Sequence, residues 1–239
     1  MKSDRIYYSS VAGFNLLVMV VGFWAYITTG HGAGGRVITP AIAVTVLVHG
    51  VGIMAWYVLS LGQSLLIAVK KRKVHMTLGW LALGLAPLIA VSGALVAVRS
   101  AQAAPAFMFF GMPYKTDFLL VMLTEVTVFA LCVFAGVLMR KRPEIHRALM
   151  LTASLSLLLG ATTRIPWLLG PFGGEDSTTA FFGPVFVYGA VLLALNSLRR
   201  RAFDRWFALS FGALVLVYLS AWQLGATAAW HQVAAALLR

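Results

Sequence analysis

Seven acidic residues serve a chain of 239, and Glu125 alone among them falls deep inside an apolar run. It lies about 11 Å into that run, counting from residue 118 at the helical rise of 1.5 Å per residue. His49 falls about 12 Å into another run, counting from residue 41 on the same scale. Arg164 sits in the last part of a third. A carboxylate, an imidazole and a guanidinium at similar depth would keep the acid ionised beside Arg164. His49 would then act as hydrogen-bond partner, proton relay or metal ligand. The same three residues would serve equally as a polar clamp joining three helices, and both readings stand at this point.

A second group comprises His75, His146 and Gln63, with Asn15 and Asn196 falling toward the same side. Each of the two histidines follows a basic turn. Two neutral imidazoles on facing helices can supply both axial nitrogens of a b-type haem, provided apolar side chains wall the porphyrin. Leu78, Leu149 and the neighbouring Phe and Met residues offer such walls. Gln63 lies about 9 Å from the end of its run, close enough to join the pair. The plainer alternative has both histidines facing lipid headgroups or capping helices.

These residues are embedded in a chain that is 61% hydrophobic and 11% charged, with a mean hydropathy of +0.89. Soluble domains carry about a quarter of their residues as charges, so lipid is the solvent that suits this composition. Apolar runs long enough to cross about 30 Å of hydrocarbon predict an all-α bundle of seven transmembrane helices. They span roughly 9–29, 41–69, 74–98, 116–139, 146–169, 179–198 and 206–226, within a single membrane domain covering 1–239. The basic amino terminus resembles a signal-peptide start, but the apolar core that follows is too long and has no small-x-small cleavage site, so the first run reads as a retained helix. The tail 227–239 either extends the last helix or lies on the surface as a short amphipathic piece.

Net charge is +12. The basic residues cluster between apolar runs instead of lining one polar face, so they set topology and are not a nucleic-acid surface. Placing Lys2, Arg5, Lys70–Lys73, Arg140–Arg142, Arg147, Arg199–Arg201 and Arg205 on one side collects 14 of the 19 cations. Basic loops resist translocation, so this side is the cytoplasm of a bacterial inner membrane and the amino terminus lies there. Arg36, Arg99, Lys115, Arg164 and Arg239 fall toward the other face. Lys115 and Asp117 read as solvated interfacial groups, and Trp24, Trp80, Trp167, Trp206 and Trp222 as interfacial anchors.

The single cysteine, Cys132, permits no internal disulfide and no Cys-based zinc site within one chain; it reads as a small buried hydrophobe. The glycines at 30, 32, 34 and 35 precede no Lys-Ser or Lys-Thr, so they form an external turn and not a phosphate loop. The last run has no lysine for a retinal Schiff base, and no metalloprotease or nucleophile-elbow motif occurs.

An offset of 71 residues aligns Lys70, His75, Leu78 and Ala82 with Lys141, His146, Leu149 and Ala153. This predicts a parallel repeat of helices two and three with four and five, and puts His75 and His146 at one depth. The series His49, Trp56, Gln63, basic turn, His75, Leu78 and Gly79 resembles a hairpin pattern of uncharacterised bacterial multi-pass membrane proteins. Glu144, His146, Arg147, Leu149 and Met150, followed by Ala161 and Arg164, resemble its second half. Residues 41–169 also faintly resemble the transmembrane ascorbate-reducible b-type cytochromes, whose four-helix core binds two haems through histidines on successive helices. That resemblance implies haem b on His75 and His146; helix four has no histidine, so His49 lacks the partner a second haem would need.

Three functions follow as expectations. The first is electron transfer through one haem b, with quinone or another small molecule as partner. The second is a proton- or ion-coupled transporter or sensor built on Glu125, His49 and Arg164. The third is an accessory subunit bound to another membrane protein.

Overall fold

The computed structural model describes residues 2–30, 38, 40–103 and 110–239. Arg36 and the glycines at 32, 34 and 35 lie outside the described residues. Every regular element is helical: α1 (Lys2–Gly22), α2 (Trp24–Thr29), α3 (Pro40–Ala68), α4 (Arg72–Leu78), α5 (Leu81–Ala103), α6 (Lys115–Leu138), α7 (Pro143–Ser156), α8 (Leu159–Thr162), α9 (Pro166–Leu169), α10 (Thr178–Arg200), α11 (Arg205–Gly225) and α12 (Ala228–Leu237). Seven stretches are long and apolar enough to cross a membrane, with α4–α5 and α7–α8 each forming one span. The protein is an all-α bundle of seven candidate spans.

Local chemistry sets the ends. Pro143 opens α7, where its missing N–H costs nothing. Ser177, Asp204 and Thr227 accept the amides of Thr179, Phe207 and Trp230 and so cap α10, α11 and α12. The tail is thus a separate helix; Thr227 stops α11 from running on, and α12 packs against α6 and α11.

Lipid exposure is written along α3, where Val44, Val51, Val58 and Leu65 are all exposed at two-turn intervals. The fifth span is the opposite case. Of its apolar window 67% is buried, against 22% to 39% in the other six, so it is the central helix of the bundle. Its α7 half packs on α6 and α11 and its α8 half on α1 and α10. The approach to α1 requires Gly22, because a Cβ there would sit 2.5 Å from the Ala161 carbonyl oxygen.

Three predicted helices are interrupted: the run at 9–29 breaks at Phe23, between α1 and α2. The run at 74–98 breaks at Gly79 and Trp80, between α4 and α5. The run at 146–169 breaks twice, at Leu157–Leu158 and again before Pro166. Serine and threonine explain the first of these breaks: Ser156 and Thr162 turn their hydroxyls back onto the carbonyls of Ala153 and Leu158, which competes with helical geometry and bends the chain. Ile165, extended ahead of Pro166, accounts for the second.

Candidate functional site

At the α7–α8 interruption the amide of Leu158 reaches the Leu155 carbonyl at 3.1 Å, a short turn that withdraws it from Ser154. The Ser154 carbonyl accepts instead from the Tyr57 hydroxyl of α3 at 2.6 Å, and the Ser156 carbonyl from the Tyr218 hydroxyl of α11 at 3.1 Å. Trp56 adds a bond from its indole nitrogen to the Ser154 hydroxyl at 3.3 Å, and Thr152 meets Ser210 at 2.8 Å. Backbone that leaves helical geometry in hydrocarbon must be satisfied by protein or by a polar cavity. Tyrosines from the second and seventh spans do that here.

Glu125 of α6 belongs to this layer. It is 4% exposed, and its Oε2 has no hydrogen-bond partner among the described residues. Tyr57, Tyr218 and the cation Arg164 lie within its electrostatic reach, and the Gly160 backbone faces it. Arg164 makes no direct ion pair with it. Its guanidinium donates to the Gly160 carbonyl and lies 4.6 Å from the centre of the Phe23 ring, while part of the side chain stays exposed.

His49 sits one layer aside, with Nδ1 3.2 Å from the Ser92 hydroxyl, which itself donates to the Leu88 carbonyl at 2.6 Å. Gly93 makes room for the ring: a Cβ there would lie 2.6 Å from both His49 and Val126. Arg164 is within electrostatic reach of His49 as well as of Glu125. Arg164 therefore lies within electrostatic reach of both other residues, and no hydrogen bond joins any two of the three.

The second predicted group meets more directly. The His75 and His146 rings are 6.4 Å apart between centroids, at 88° to one another. Nδ1 of His146 is 2.8 Å from the Gly136 carbonyl, so it carries the proton there and leaves Nε2 as a free acceptor. Gln63 is held by the other partners of its amide: its nitrogen donates to the His75 carbonyl at 3.1 Å and its oxygen accepts the Gly79 amide at 3.0 Å. That orientation also aims its nitrogen at Nδ1 of His75, which places the His75 proton on Nε2. As arranged, His146 has the lone pair an axial haem ligand needs, and His75 gains one only if Gln63 turns. Among the described residues no group of three or more His, Cys, Asp or Glu side chains is arranged to hold a metal ion.

Two polar clusters were not anticipated. Asp117, read as solvated, is 1% exposed: Oδ1 is 2.7 Å from Nε2 of His231 on α12, and Oδ2 accepts the Tyr114 amide at 3.3 Å. Trp230 donates to the Thr116 carbonyl at 2.6 Å beside it. Its partner arrives from 114 residues away, and no local pattern signals that. At the basic end, Asp4 pairs with Arg199 at 2.5 Å, and Asp204 accepts from Asn196 and lies 3.6 Å from Arg200. Arg199 also donates to Asn196, and Tyr188 to Asn15 at 2.8 Å. This network ties α1 to α10 and the start of α11.

Comparison with protein-family models, with curated proteins and with solved structures finds no match.

Proposed function

We propose that the protein is a membrane transporter that couples its work to protonation of Glu125, residing in the inner membrane of a bacterium with its basic end in the cytoplasm. One observation carries the reading: a buried carboxylate with an unpartnered oxygen lies against the interruption of the central helix. An ionisable group inside a span is costly to keep and marks a pathway or relay. Interrupted helices at midplane are where transporters gather their coupling sites. Arg164 biases the charge state of Glu125 through space, and the absence of a direct ion pair leaves the carboxylate free to change partner. Vesicles reconstituted with the protein and loaded with a pH-sensitive dye test the reading under an imposed potassium-diffusion potential. Wild type is expected to change the internal pH faster than empty vesicles, and Glu125→Gln to abolish the difference. Equal rates for both proteins would overturn it.

The ring separation of 6.4 Å favours a second reading, electron transfer through a haem b on His75 and His146 with quinone as partner. Two imidazoles sharing one metal through bonds of about 2 Å sit at a centroid separation of that order. Gln63 must then turn its amide so that its oxygen accepts a hydrogen bond from Nδ1 of His75. Protein purified after haem-supplemented expression would show a Soret band, lost in His146→Ala; a colourless wild type removes this reading.

A further inference from the structure

The outer face of the α3–α5 hairpin carries an apolar groove of about 580 Å³, lined by Val58 and Leu59 from one helix and Gly84 and Leu85 from the other. Trp80, 58% exposed, closes its lower end. The charge around that end is of one sign. The connection between the two walls begins with Lys70, Lys71, Arg72 and Lys73, at the end of α3 and the start of α4, and the hairpin from 40 to 103 contains no Asp or Glu. Arg140, from the end of the fourth span, places its guanidinium 5.6 Å from the centre of the Trp80 ring and donates to the Val137 carbonyl at 3.1 Å, so it is held at the mouth of the groove. Glu144, the acid on the neighbouring α7, is engaged by Arg200 at 3.3 Å.

We infer that this groove is a binding site for an anionic glycerophospholipid, with one acyl chain along Gly84 and the phosphate beside Arg140, at the end of the hairpin that carries the cations 70–73. Charge complementarity commits the site to this occupant: a zwitterionic headgroup brings no net charge to an end of the hairpin where Arg140 sits on Trp80, the stretch 70–73 is all cationic, and residues 40–103 hold no acid. Basic side chains beside anionic lipid contribute roughly 1 kcal/mol each, and a guanidinium on a tryptophan face is oriented as well as attracted. Gly84 makes the acyl part testable, because a Cβ there meets nothing within 4 Å and a larger side chain would grow into the groove and not into a neighbour.

The experiment is native mass spectrometry of the full chain released from micelles containing equal amounts of phosphatidylglycerol and phosphatidylcholine. Wild type is expected to retain phosphatidylglycerol in preference. Arg140→Gln should cut that preference about fivefold, the factor matching the roughly 1 kcal/mol of one basic side chain. Gly84→Leu should remove the bound lipid. Equal retention of the two lipids by wild type, an undiminished lipid peak in Gly84→Leu, or a dimer whose formation excludes lipid would each overturn the assignment.

Discussion

At the basic end of the bundle Asp4 meets Arg199, and Asp204 meets Asn196 and Arg200. At the α7–α8 interruption, Glu125 has Arg164 within electrostatic reach and no bond to it. The residue types are the same and the arrangement is opposite. Where charge serves only to hold helices together, each carboxylate is given its counter-charge and donors, because a buried charge left alone is costly. The contrast with Glu125 is what motivates the proposal that its layer serves something other than cohesion. The tyrosines there are spent on the backbone of the interrupted helix, and none donates to the carboxylate.

Removing a partner from each region sharpens the contrast. The largest loss is expected from Asp204→Ala, which strips Asn196 and Arg200 of an acceptor and removes the cap of α11. A penalty of roughly 3–5 kcal/mol follows, readable as a fall in thermal stability in detergent. Tyr57→Phe comes next: it leaves the Ser154 carbonyl without its donor and should cost about 1–3 kcal/mol, with faster amide exchange around Leu157 and Leu158. His231→Ala is expected to cost about 1 kcal/mol and to expose α12 to protease, because Asp117 then loses the donor on its Oδ1. Glu125→Gln should have the smallest effect on stability, within about 1 kcal/mol; it keeps the shape and removes a charge that has no direct partner. A loss as large as that of Asp204→Ala would make Glu125 a clamp after all and erase the distinction between the two regions.

Much of this was legible in the sequence. The seven spans follow from apolar runs, and Glu125 stands out from sequence alone as the one acid deep in such a run. The repeat of a basic turn followed by histidine anticipated that His75 and His146 would come together at one end. What could not be read were features created by distant partners. The burial of Asp117 depends on His231, and the locking of Asp204 on Asn196 and Arg200 across a helix end. The interruption at Leu157–Leu158 is intermediate: no proline marks it, and its signal is the density of Ser and Thr at 152, 154, 156, 162 and 163, which read as ordinary helix. Gln63 was assigned to the right neighbours, yet its effect on the His75 proton depends on a hydrogen-bond direction that spacing cannot supply.

The central claim, that Glu125 exchanges a proton within a membrane span, is tested most directly by infrared difference spectroscopy of the protein in lipid as the bulk pH is stepped. The account expects a carboxylic-acid C=O band that grows on acidification and disappears in Glu125→Gln. A spectrum with no such band in the wild type, or with the same band in the variant, would contradict it.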